Sequence, residues 1–165
     1  MRQRFKVSEV FRKDMRPRLE DPYRPVKKYR SNTECPGCGL IFQKGVWKRS
    51  QGAESIQQRR LCPACLRAQQ DYPGGVLRLS GGFLAAHHED ILRRIEGLAQ
   101  EAEREHPLER IIRVREESGE LLVYATDEHL IARLGKALHR DFKGTLDLEY
   151  APGESYAVAH WRRDA

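Results

Sequence analysis

Over residues 76–165, apolar residues recur at two spacings, and their alternation predicts a chain of small elements. Val76-Leu77-Arg78-Leu79 reads as a short strand that ends at Ser80-Gly81-Gly82. A helix follows from Phe83 to Glu105, because Leu84, Ile91, Leu92, Ile95, Leu98, Ala99 and Ala102 fall on one face at helical spacing. His106 suits the negative end of that helix, and Pro107 stops it. Residues 110–115 and 121–125 read as a hairpin turned by Glu117-Ser118-Gly119-Glu120. Thr126 is placed to cap a second helix, with Asp127 and Glu128 in its first turn. Leu130, Ile131, Leu134, Leu138 and Phe142 form the buried stripe of that helix, and Gly144 ends it. Leu146, Leu148 and Tyr150 alternate with Asp147 and Glu149 as a half-buried strand. Pro152-Gly153 then turns the chain into a last strand, Tyr156 to Trp161. The order α-ββ-α-ββ predicts an α+β two-layer sandwich: two helices on one face of a mainly antiparallel four-stranded sheet.

The pattern before residue 76 is different. Leu40-Ile41-Phe42 and Val46-Trp47 bracket Lys44-Gly45, a hairpin signal too small to build a core. It lies between two cysteine pairs, Cys35-Pro36-Gly37-Cys38 and Cys62-Pro63-Ala64-Cys65, separated by 23 residues. Two C-x-x-C knuckles predict a four-thiolate zinc site, because Zn²⁺ takes four soft ligands tetrahedrally. The alternative is a redox pair, but redox C-x-x-C motifs are normally single and sit in a βαβ setting. The proline in each knuckle fixes a turn, and Gly39 suits a left-handed residue after the second ligand. All four positions are filled, so one structural Zn²⁺ is expected. After Cys65, Leu66 to Gln70 make a short helical turn that stops before Pro73-Gly74-Gly75. The plan fits a zinc ribbon or a treble clef equally. The organisation is thus a basic extended arm over 1–31, a Cys₄ zinc module over 32–75 and an α+β domain over 76–165.

Charge sharpens this division. Net charge is +6, but residues 1–70 carry 17 Lys/Arg against 6 Asp/Glu, and residues 71–165 carry 13 against 18. The first part suits a polyanion and the second does not. In the arm, Arg2, Arg4, Lys6, Arg12, Lys13, Arg16, Arg18, Arg24, Lys27, Lys28 and Arg30 are candidates for RNA phosphates, with Tyr23 and Tyr29 as candidates to stack on bases. In the zinc module, Lys44, Lys48, Arg49, Arg59 and Arg60 are candidate phosphate ligands, and Trp47 is a third stacking candidate. Together with Arg67, these cations are also placed to offset the −2 charge of a four-thiolate zinc site. No apolar run reaches the roughly 18–20 residues of a membrane helix, and no apolar stretch follows the first basic residues. A cytoplasmic protein without a membrane partner is expected.

Catalytic signals are weak. His87-His88-Glu89-Asp90 carries metal-capable groups, but adjacent residues on a helix point in different directions. His129, His139 and His160 have no local nucleophile or acid in a triad arrangement, and Gly135-Lys136 lacks the rest of a phosphate loop. Neither an enzyme nor a small-molecule substrate is expected.

The two cysteine motifs, the basic hairpin with Trp47 and the run from Gly119 through Thr126-Asp127-Glu128-His129-Leu130 to Leu138 resemble a short bacterial zinc-ribbon family. That family is itself similar to the zinc-bearing N-terminal part of the archaeal and eukaryotic adaptor for large-ribosomal-subunit export. The resemblance covers residues 33–163. The adaptor carries more than one cysteine cluster and this chain carries one, so nuclear export is not implied. The resemblance implies binding to rRNA on the large ribosomal subunit, with a ribosomal protein as a candidate partner of the α+β domain. It leads to the expectation of a ribosome-binding factor for dormancy (hibernation) or late assembly that regulates translation by occupying a functional site. The alternative is a zinc-ribbon regulator that binds nucleic acid or a polymerase.

Overall fold

The computed structural model describes residues 28–151 and 155–165. The expected contacts from Arg2 through Lys27, Tyr23 among them, and the turn at Pro152-Gly153 lie outside the described residues. What is described is mixed α+β, with two sheets and four helices.

The smaller sheet has the order β3-β2-β1-β4, where β1 is Thr33–Glu34, β2 Ile41–Gln43, β3 Val46–Lys48 and β4 Gln58–Arg59. β2 and β3 form the expected hairpin, turned by Lys44 and Gly45 at φ 49° and 83°. Two successive left-handed residues match the right-handed twist of the strands they join. Thr33 is fully buried and its hydroxyl donates to the Arg30 carbonyl at 2.6 Å, which ties the entering chain to the sheet. Helix α1, Pro63–Gln69, then begins inside the second cysteine motif. The expected turn after Cys65 is therefore part of a helix that starts two residues before it. Proline at its first position has no N–H to lose and already has a helical φ.

The larger sheet has five strands in the order β6-β7-β5-β9-β8, with β5 Gly75–Ser80, β6 Ile111–Glu117, β7 Glu120–Ala125, β8 Thr145–Tyr150 and β9 Ala157–Arg162. This corrects the expected four-stranded sheet. The run at 76–79 is the central strand, antiparallel to β7 and parallel to β9. Val76, Leu77 and Leu79 are each fully buried, as a strand covered on both faces requires.

The first long helix is divided at His87 into α2, Gly82–Ala86, and α3, His88–Glu105. His87 leaves helical backbone at φ −124° and its ring stacks on Phe83 at 3.9 Å. Helix α4 spans Glu128–Phe142. Its cap is Asp127, whose carboxylate accepts from His129 N at 2.7 Å. Thr126, the expected cap, is buried and used elsewhere.

Helices α3 and α4 lie on one face of the five-stranded sheet. Ile91, Ile95 and Leu98 from α3 and Leu130, Ile131, Leu134 and Leu138 from α4 meet Leu77, Leu79, Leu121, Val123, Ala159 and Trp161 in one core. Burying each Leu or Ile contributes about 1.5–3 kcal/mol against exposure. Trp161 is fully buried and donates from Nε1 to the Lys143 carbonyl at 2.7 Å. Val76, Leu122, Tyr124, Tyr156 and Val158 cluster on the opposite face. Ile111 faces the helices and Ile112 the other side, and a bulge between Ile111 and Arg113 then interrupts the alternation, so that Arg113 lies over the Tyr124 ring at 3.7 Å on the same side as Ile112.

Candidate metal centre

The four sulfurs come from two local devices. In the first knuckle the Cys35 N–H donates to the Leu40 carbonyl and the Gly39 N–H to the Cys35 carbonyl, both at 2.8 Å. Gly39 sits at φ 78°, as expected from its place after Cys38. A Cβ at Gly37 would lie 3.0 Å from Cys65 Sγ, so a larger residue there would crowd that sulfur. The second device is the N-terminus of α1. Cys62 is its cap residue, and its sulfur accepts from the Cys65 N–H at 3.4 Å. The two devices are joined by a bond from the Cys62 N–H to Cys35 Sγ at 3.2 Å.

This arrangement brings the Cys35, Cys38, Cys62 and Cys65 sulfurs within 4.8 Å of one another. Cys38 and Cys62 are 3.8 Å apart at sulfur. A tetrahedron with Zn–S bonds of about 2.3 Å has S–S edges of about 3.8 Å, so the spacing fits the ion. It does not fit a disulfide, whose sulfurs are about 2.05 Å apart.

The four thiols also perturb one another. Burial pushes the Cys62 thiol well up, and the neighbouring Cys38, Cys35 and Cys65 push it further. Burial raises Cys65 too, against the Arg110 side chain, which lowers it. Burial pushes Cys35 up as well, but N–H groups of Cys62, Cys38 and Gly37 outweigh it and bring that thiol down to about 7. A cluster in which one sulfur readily ionises and its buried neighbours resist becomes uniformly anionic around a divalent ion.

The expected cations are distributed unevenly. Lys28, Arg30, Lys44, Arg49 and Arg59 are exposed on the module, and Lys48 and Arg60 are half-buried. Arg59 pairs with Glu34 at 3.2 Å. Arg60 lies over the Tyr29 ring at 4.3 Å. The stacking candidates are used differently from the expectation. Trp47 is 9% exposed, and Tyr29 packs edge-on against it at 4.8 Å. Tyr29 also donates from its hydroxyl to the Leu61 carbonyl at 3.1 Å. With Phe42 they form the aromatic part of the module's own core. In so small a core the aromatic area is needed inside, so Trp47 offers no open platform for a base, while the half-buried Tyr29 ring is engaged by Trp47 and Arg60.

None of the six cations expected to offset the thiolates is the one on the sulfurs. Arg110, from the loop between α3 and β6, donates from Nη1 to Cys65 Sγ at 3.3 Å and from Nη2 to Cys38 Sγ at 3.3 Å and Cys62 Sγ at 3.5 Å. Arg67 instead donates to the Tyr72 carbonyl at 3.4 Å. No local signal marks Arg110, which follows Cys65 by 45 positions.

A second group, Asp127, Glu128 and His129, also has its ligand atoms within 4.8 Å of one another. Those residues form the cap and first turn of α4, a role that accounts for their position. His88 Nε2 lies 2.7 Å from Glu116, while His87 is stacked on Phe83. No helix among the described residues is long and apolar enough to cross a membrane. Comparison with family models, curated proteins and solved structures returns no match.

Proposed function

We propose that this chain is a zinc-stabilised, rRNA-binding factor of the large ribosomal subunit, acting in dormancy or late assembly by occupying a functional site. The carrying observation is the union of a four-sulfur cluster with the basic half of the chain, where residues 1–70 hold 17 Lys/Arg against 6 Asp/Glu. The ion is Zn²⁺, held by Cys35, Cys38, Cys62 and Cys65 in a closed structural site. A knuckle and a hairpin followed by a helix that carries the second cysteine pair favour a treble clef over a ribbon.

A small module held by a metal presents backbone and side chains rigidly at little cost in core area. Lys28, Arg30, Lys44, Arg49 and Arg59 are exposed on it and meet phosphates, together with the basic residues of 1–27. Phosphate contacts position a protein on nucleic acid without reading sequence. That suits a factor whose target is defined by shape, as folded rRNA is. The acidic-leaning α+β unit faces a protein-rich surface, and a ribosomal protein is its partner. Under this reading the factor excludes a competing ligand and performs no chemistry.

The test is sedimentation of cell extract through a sucrose gradient at low and high salt. Co-migration with large subunits or ribosomes, released by high salt, is expected. Retention at the top of the gradient, with recovery alongside RNA polymerase or DNA, replaces this reading with that of a transcription regulator. Catalytic, substoichiometric damage to translation with new rRNA cleavage or modification makes the protein an enzyme.

A further inference from the structure

We propose that Arg110 is a working part of the metal centre: its guanidinium neutralises part of the thiolate charge and locks the zinc module to the α+β unit. The proposal rests on the four-thiolate reading and adds a fifth residue to it.

The geometry accounts for every nitrogen of the guanidinium. Nη1 and Nη2 reach three of the four sulfurs, and Nε donates to the Pro107 carbonyl at 2.8 Å. Among the described residues the nearest carboxylate, on Glu103, is 4.0 Å from Nε, so the terminal nitrogens are directed to sulfur rather than to that acid. Arginine has the planar fork needed to bridge several acceptors, whereas a lysine ammonium acts as a single point charge. Four thiolates around Zn²⁺ carry −2, and one guanidinium brings the assembly to −1.

The side chain is aimed by its own backbone. The Arg110 N–H donates to Thr126 Oγ1 at 3.0 Å, and the Thr126 N–H returns a bond to the Arg110 carbonyl at 2.9 Å. Thr126 Oγ1 in turn donates to the Leu108 carbonyl at 2.7 Å. Thr126 is 5% exposed, so this clamp lies at the edge of the α+β core. The metal ligands and the five-stranded sheet are therefore connected through one residue. Leu108 packs against the zinc module's apolar cluster beside it, and Arg113 pairs with Asp71 at 2.8 Å.

A cleft of about 320 Å³ opens between the two units, lined in part by Cys38, Arg49, Glu103 and Arg110. Cys38 is the exposed ligand, and its sulfur is where a chelator or electrophile reaches the centre. A hydrogen bond from Arg110 draws electron density from that sulfur and makes it a weaker nucleophile. Outer partners of this kind typically set metal affinity by 10–100-fold.

The test uses the full-length chain with Arg110→Ala and Arg110→Lys. Zinc content, zinc retention against a competing chelator and the sulfur-to-metal charge-transfer band of the Co²⁺-substituted protein are measured. One metal per chain at saturation is expected throughout. Arg110→Ala is expected to hold zinc ten- to a hundredfold more weakly, with the band moved to lower energy, because sulfurs without the N–H bonds are easier to oxidise. Arg110→Lys keeps the charge without the fork and is expected to fall between. A residue that only supports the fold would leave the band where it is, so a wild-type band and wild-type retention in Arg110→Ala overturn the proposal. If Arg110→Ala does not fold, wild-type retention and band in Arg110→Lys overturn it instead. Failure of the underlying site looks different: the wild-type chain itself would bind no metal, or Cys62→Ser would keep it.

Discussion

The two units of this chain use opposite means to stay folded. In the α+β unit, strands and two long helices enclose one contiguous core from Leu77 to Trp161. In the zinc module the buried cluster is Cys35, Leu40, Trp47, Cys62 and Ala64, and two of those five are candidate metal ligands. A core that small does not offset the conformational entropy of the loops around it. On the proposed four-thiolate site, a bound metal would supply folding free energy to the first unit and, through Arg110, a clamp on the second. The contrast also separates chemistry by region, since the candidate metal ligands and the excess positive charge share the same half.

The largest way to break this comparison is Cys62→Ser. The variant is expected to lose its zinc and to unfold the module from Tyr29 to Gln69, while α3, α4 and the five-stranded sheet persist. Structural zinc in small modules carries roughly 10–16 kcal/mol of apparent binding free energy, so no partial folding of the module is expected without it. Metal analysis combined with hydrogen exchange mapped along the chain reads both regions at once. Full protection of residues 33–59 in a metal-free protein would show that the module is held by something else.

The next largest effect concerns charge. Tyr29 is part of the module's core, so an informative truncation stops before Lys28 and removes residues 1–27 only. Each lost phosphate contact takes about one unit from the slope of log affinity against log salt. The truncated chain is expected to bind ribosomes far more weakly and with a shallower slope, and to keep its zinc. Reversal of Lys44, Arg49 and Arg59 to Glu is expected to weaken binding further. Equal affinity and slope in full-length and truncated chains would remove residues 1–27 from the interface.

The same two regions show how much was legible in the sequence. Knuckles, hairpin turns and amphipathic stripes are local, so Cys35 to Cys65, Lys44-Gly45 and the faces of α3 and α4 stand where the residues suggested. What could not be read depends on partners far away in the chain. Val76 to Leu79 looked like a short strand outside the sheet because its neighbours, β7 and β9, begin 45 and 82 positions after β5 begins. Thr126 looked like a helix cap because its hydroxyl's partners, Leu108 and Arg110, lie earlier in the chain. Arg110 was one arginine among many, and only the fold places it on the sulfurs. Trp47 failed in another way: its residue type suits both a core and a base platform, and the small module needs it inside.

The third prediction works on the α+β unit alone. Leu134 is fully buried in the core between α4 and the sheet. Leu134→Ala is expected to destabilise that unit by about 2–5 kcal/mol, since the cavity it leaves closes only in part. Zinc content is expected to be unchanged, because the ligand sulfurs and their loops lie in the other unit. Denaturant unfolding with zinc quantified in the same sample checks this. Parallel loss of zinc would mean that the two units fold as one, and the contrast between them would have to be redrawn.

The smallest effect is a pH dependence inside the sheet. His160 lies on β9 with Ser80 Oγ 2.9 Å from its Nε2. Burial pushes its pKa below the ordinary histidine value; Glu120 and Asp147 pull upward and Arg78 and Arg162 downward. In the window between the depressed folded value and the ordinary one, the unfolded chain therefore binds more protons than the folded chain. Stability then falls as pH drops through that window and is at its full value above it. A zinc-thiolate module would also weaken in acid as its sulfurs take up protons, so the α+β unit has to be read separately. The two tryptophans make this possible, one in each unit. In a Trp47→Phe background, Trp161 fluorescence reports the sheet and its helices. Denaturant midpoints from Trp161 are expected to decline as pH falls below the ordinary histidine range. With His160→Gln added, the decline is expected to flatten, because the substituted side chain cannot take up a proton. An identical acid decline with and without His160 would assign it to other groups in the unit, with the carboxyl of Asp141, held low by its bonds to Arg140 and Arg94, as the next to test.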